Sequence, residues 1–77
     1  MTVENPPKLT SELDYWEVRL KNGGTISLRA HGVVERGDHF CFVALMIGTP
    51  AYEYELVRIS KSDVESYEGG WPEPPLR

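Results

Sequence analysis

Between Asp38 and Pro50 the chain runs DHFCFVALMIGTP, and from Phe40 to Ile47 no side chain is polar apart from a cysteine. A strand with one wet face alternates polar and apolar residues, so this stretch needs cover on both sides. Cover is scarce in a chain of 77 residues. A length of that order holds one domain, and small domains bury only about 60% of the surface their unfolded chains expose.

The rest of the pattern is all-β. Tyr15 to Lys21 (YWEVRLK) alternates strictly, with Trp16, Val18 and Leu20 on one face and Tyr15, Glu17, Arg19 and Lys21 on the other. Thr25 to His31 (TISLRAH) alternates again, with Ile26, Leu28 and Ala30 inward. Asn22, Gly23 and Gly24 between them tolerate the positive φ of a hairpin turn. A loop of these three residues pairs Lys21 with Thr25, sets Leu20, Val18 and Trp16 against Ile26, Leu28 and Ala30, and places Glu17 opposite Arg29. Closing the next turn from Glu35 to Asp38 pairs Ala30 with Val43. Cys41, Val43, Leu45 and Ile47 then join the inner face. Pairing Ile47 with Tyr52 across GTPA carries this through Tyr54 and Leu56, leaving Glu53 and Glu55 outside.

The expected fold is an antiparallel meander of four to five strands curled into a small barrel or roll of SH3-like or Sm-like type. Residues 12–68 form the domain, between a flexible segment at 1–11 and a Gly/Pro-rich tail at 69–77, GGWPEPPLR. Ser62 with Glu65 fits a capping box, so one helical turn is expected near the C-terminus, with Val64 and Tyr67 as its competitor, a last edge strand.

This register leaves Phe40, Phe42 and Met46 on an otherwise polar outer face, edged by Val33 and Val57. Aromatic residues and methionine are enriched in interface cores, so the patch is a candidate protein-binding surface, unless a tail or the SKSDVESY turn covers it. Trp16 belongs to the core. Trp71, between GG and PEPP, is either a latch on the barrel or an exposed protein ligand.

Chemistry is sparse. His39 and Cys41 lie two apart on one strand face, with His31 and Asp38 nearby, but the spacing matches no common zinc motif. The expectation is therefore no metal and no cofactor. Glu53 and Glu55 share a face, where solvated carboxylates beside basic neighbours are expected rather than an acid–base pair. There is no G-x-S-x-G, phosphate loop or dinucleotide fingerprint, so no catalytic residue is assigned. Net charge is −4, and the six acids between Ala51 and Glu73 face only Arg58 and Lys61. That acidity disfavours phosphate-rich partners, and the sole nucleic-acid candidate is Arg19, Lys21 and Arg29 on the outer face of the first hairpin, near Tyr15 and His31. A lone cysteine, no apolar run of about 18 residues and no basic, apolar leader make the cytoplasm the expected compartment and a membrane an unexpected one.

The order strand, LKNGGTISL turn, strand, long apolar strand, then VRISKSDVES resembles the order of elements in Sm-like small barrels, including the Hfq-type RNA chaperones. The resemblance implies a meander barrel and a nucleic-acid-binding role. In general style the chain also resembles short proteins of actinobacteria and their phages. Weighed together, the residues favour a non-catalytic binding module of regulatory or phage-encoded inhibitor type, acting on a protein partner or on its own copy. The alternative is an Sm-like barrel binding nucleic acid through the first hairpin.

Overall fold

The computed structural model describes residues 8–75, in six strands and one 3-10 turn. The strands are β1 (Asp14–Leu20), β2 (Thr25–Ala30), β3 (Gly32–Arg36), β4 (His39–Met46), β5 (Tyr52–Ser60) and β6 (Val64–Trp71), with the turn at Lys61–Asp63. They make two antiparallel three-stranded sheets, in the orders β2-β1-β6 and β3-β4-β5. The chain changes sheets twice, at His31 and across the 3-10 turn, and β6 returns to pair with β1. The fold is thus all-β, with six strands where four to five were expected. At Lys61–Asp63 no side chain caps the turn, and strand begins at once with Val64. A turn and a last strand both occur, one after the other, but the turn starts two residues earlier than a Ser62 cap implies and Glu65 lies in β6, so the capping box is not formed.

The first hairpin has a three-residue loop, but at Lys21–Gly23 rather than at 22–24. The Gly23 N–H donates to the Leu20 carbonyl at 3.0 Å, the Leu20 N–H donates to the Gly24 carbonyl at 2.9 Å, and Gly23 takes φ +93. Gly23 is therefore the left-handed residue a three-residue hairpin needs at its third position. Moving the loop by one residue slides the register by two. Val18 faces Ile26, Trp16 faces Leu28, and Glu17 faces Ser27 rather than Arg29. A two-residue slip leaves every side chain on its original face, so the inner row survives.

The second hairpin is also two residues from the expected register, since Val43 faces Gly32 rather than Ala30 and the turn is Gly37–Asp38, with Gly37 at φ +57. Here the faces do change. Ala30 is fully buried and Val33, three residues on, packs on the same core, so the His31–Gly32 corner adds one residue to the alternation. A sheet corner of this kind inverts which parity points inward. Phe40 and Phe42 consequently face the interior, with Val33 and Val57 flanking Phe42 in one cross-strand row. The expected inner set is reversed, and Leu45 and Ile47 are exposed.

The core lies between the sheets. Val18, Ala30, Phe42, Ile59 and Val64 are its buried centre, with Trp16, Leu20, Ile26, Leu28, Val33, Phe40 and Val57 packed around them. The Trp16 indole Nε1–H donates to the Ala30 carbonyl at 3.0 Å, which satisfies the ring's one polar group as it enters the core. In β5 the pairing shifts between Phe42 and Val43, so that Val57 faces Phe42 while Glu55 faces Val43. Leu56 is the extra residue of this bulge.

Candidate functional site

The residues expected to form an outer patch lie inside. Phe42 is 0% exposed and meets Trp16 and Tyr67 of the opposite sheet, at ring-centroid distances of 5.8 and 6.0 Å. Phe40 packs edge-on to Tyr67 at 5.1 Å, and Lys61 Nζ stands 5.6 Å from its ring centroid. Met46 is buried between β5 and the N-terminal segment, facing Tyr52 and forming an isolated bridge with Leu9. Trp71 is a latch, facing Tyr15 across the β1–β6 ladder with the two rings stacked at 6.3 Å. Phe42 is buried under the second sheet, and Phe40, Val33 and Val57 are half-buried and packed against the same core, so the four do not form an open outer patch.

The first-hairpin cations are dispersed. Arg19 lies 3.9 Å from Glu68. Arg29 stands over the Tyr15 ring, 6.0 Å from its centroid, and donates to the Leu13 carbonyl at 3.4 Å. Lys21 belongs to the turn rather than to the strand face, and its backbone N–H donates to Asp63. Exposed pairs of this kind contribute little individually. Glu17 and Glu68 sit directly opposite one another between these cations, which makes the face one of mixed charge.

The outer face of β3-β4-β5 answers what covers the far side of the apolar run. Cys41 lies between Val34 and Arg58 and is fully buried. Above it Glu55 is held by Arg58 at 3.1 Å and by Arg36 at 3.4 Å, and Arg36 also reaches Glu53 at 3.4 Å. Burial pushes the Cys41 thiol above its ordinary range, and its hydrogen bond to Glu55 and that group's charge push it further. The same hydrogen bond, followed by that from Arg58, holds the Glu55 carboxylate below the usual range. A neutral thiol donating to a charged, arginine-held carboxylate is an inert structural contact, not a nucleophile beside a base. Among the described residues, no three His, Cys, Asp or Glu side chains converge as metal ligands.

What the molecule exposes is the far half of the β4–β5 hairpin. Leu45 is 44% exposed, Ile47 58%, Tyr52 46% and Tyr54 57%, with Leu56 beside them at the bulge. This arm carries Leu45 on one face and Tyr52 and Tyr54 on the other, with Ile47 at the tip next to the cis Thr49–Pro50 bond. Residues 8–11 run along its edge. The Ile47 N–H donates to the Lys8 carbonyl at 2.8 Å and the Thr10 N–H to the Leu45 carbonyl at 3.0 Å. The sequence pattern places Leu45, Ile47, Tyr52 and Tyr54 on one inner face; in the structure Leu45 turns outward with Cys41 and Val43, whereas Tyr52 and Tyr54 share the face of Met46 and Ala44 and are exposed there. The alternation of Tyr52, Glu53, Tyr54 and Glu55 is visible in the chain, but not which side is wet.

Comparison with protein-family models, with curated proteins and with solved structures finds no match for this chain.

Proposed function

We propose that the protein is a non-catalytic binding module that works through protein–protein contact, with the β4–β5 arm as its contact surface. The observation that carries this reading is the arm's exposed apolar set, Leu45, Ile47, Tyr52 and Tyr54, at the end of a hairpin whose other half is packed in the core. Exposed aromatic and aliphatic side chains grouped on one element, rimmed by the Glu53, Glu55, Arg36 and Arg58 charges, have the make-up of an interface. The partner is a protein surface with apolar groups of its own. The fold itself is read as a small barrel of SH3-like or Sm-like type. Three features support this: the strand bent at His31, the 3-10 turn between the last two strands and the return of β6 to β1.

The test is a pair of variants, Tyr54→Ser and Ile47→Ser, used as bait beside the unaltered protein. Both substitutions are at exposed sites, so unfolding free energy should stay within about 0.5 kcal/mol of the parent. Specific partners should be lost from both. Retention of every partner by both folded variants would remove the arm from consideration.

A further inference from the structure

The three bonds of the His31 imidazole hold the N-terminal segment on the arm. Nδ1 accepts from the Leu45 N–H at 2.7 Å, while Nε2 lies 3.1 Å from the Ser11 carbonyl and 2.9 Å from the Ser11 hydroxyl. Because Nδ1 accepts, the ring proton sits on Nε2, where it donates to Ser11. The imidazole therefore bridges β4 to residues 8–11 at the corner where the chain changes sheets. The Leu45 amide has this ring as its partner, at the point where pairing passes from β3 to the N-terminal segment.

We propose that His31 is a pH-sensitive clasp that fastens residues 8–11 along the edge of β4 when neutral and releases them when protonated. An imidazolium carries N–H on both nitrogens, so protonation turns the Leu45 N–H···Nδ1 bond into two donors facing each other. Histidine is the side chain whose ordinary range of charge change spans about pH 5 to 8, which is the span an experiment should cover. The charged groups on the elements around the ring are few. Glu53 of β5 lines the same depression as His31, Val34, Val43 and Leu45, and is engaged by Arg36 of β3. Arg29 of β2 is directed to the Leu13 carbonyl and the Tyr15 ring, and Lys8 and Glu12 flank the segment itself. Loss of the Leu45 bond loosens the two neighbouring contacts, Thr10 N–H to Leu45 and Ile47 N–H to Lys8, since all three order the same few residues. The clasp acts on this chain's own segment and stands whichever protein the arm contacts.

Backbone amide exchange followed by NMR tests it. Between about pH 7.5 and pH 5, protection of the Thr10, Leu45 and Ile47 amides, corrected for intrinsic rates, should fall about tenfold or more while Val18 and Phe42 stay protected. His31→Asn sets a carbonyl oxygen where Nδ1 stands, gives up the Ser11 bonds and cannot titrate, so whatever protection the segment retains should be the same at both pH values. Glu53→Gln should leave the response in place. Unchanged protection in the parent protein would overturn the clasp. So would a pH response that survives in His31→Asn, which would assign the titration to another group.

Discussion

Trp16 and Phe42 meet edge to face across the two sheets, their ring centroids 5.8 Å apart and their planes at 68°. Trp16 comes from the most strictly alternating strand of the chain, and Phe42 from the one that alternates least. Their contact closes the core, with Tyr67 of β6 completing the cluster at 6.3 Å from Trp16 and 6.0 Å from Phe42.

Phe42→Ala should cost about 3–5 kcal/mol, the usual cost of emptying a fully buried aromatic site. That is a large part of the 5–15 kcal/mol that a small domain commonly holds, and urea titration followed by tryptophan fluorescence measures it. Phe42→Asp should abolish the cooperative transition altogether. A folded Phe42→Asp protein would return the residue to the surface.

Gly69 faces Trp16 across the β1–β6 ladder, and a Cβ built there would lie 2.5 Å from indole Cδ2 and 2.6 Å from the Tyr15 carbonyl oxygen. The carbonyl is backbone and cannot step aside. Gly69→Ala should therefore destabilise by about 1–3 kcal/mol, as overpacking does. Gly32→Ala, where a Cβ meets nothing within 4 Å, is the control. Thermal melts of the two should separate clearly.

The Glu55 carboxyl is held below its ordinary value by the Cys41 thiol and then by Arg58, so its contribution to stability has a definite sign. It is present in full above the unfolded carboxyl's value and is lost as pH falls through the lowered folded one. Glu55→Gln should flatten the acid limb of the stability–pH curve. The raised Cys41 thiol acts at the other end, where stability declines as pH climbs above the ordinary thiol range. In the folded protein a thiol-specific reagent at neutral pH should label Cys41 only as fast as the chain unfolds. Immediate labelling would contradict the burial.

Trp71→Ala should remove the stack on Tyr15 and lower stability by about 0.5–1.5 kcal/mol beyond the lost area. A double-mutant cycle with Tyr15→Ala isolates that contact. Zero coupling would return Trp71 to the role of a free ligand.

Which strands exist was largely legible. Alternation at Tyr15 to Lys21 and Thr25 to His31, glycine at each turn, and Trp16 in the core all follow from local chemistry. Hairpin register was less so, because a run of Lys21, Asn22, Gly23 and Gly24 accommodates a three-residue loop at either of two positions. The two differ in which glycine takes positive φ and in the cross-strand pairs, and both keep the same inner row. The candidate site was not legible at all. Phe40 and Phe42, expected outside, face the core, and Leu45, expected inside, faces out, while Tyr52 and Tyr54 keep their expected inner face, shared in the structure with Met46 and Ala44, but are exposed.

The reversal of β4 has one physical origin. The chain by itself determines an all-β domain, its turns, and a strand from Phe40 to Met46 that must be covered on both faces, since those depend on nearest-neighbour patterns. It does not determine which face meets the core, because one added residue at the His31–Gly32 corner reverses the faces of β4, and the Leu56 bulge then restores the expected faces from Tyr52 to Glu55. A strand apolar on both sides offers no local penalty for either choice. Only the packing of the second sheet decides, by setting Trp16 and Tyr67 over Phe42 and leaving Arg36, Glu55 and Arg58 to close over Cys41.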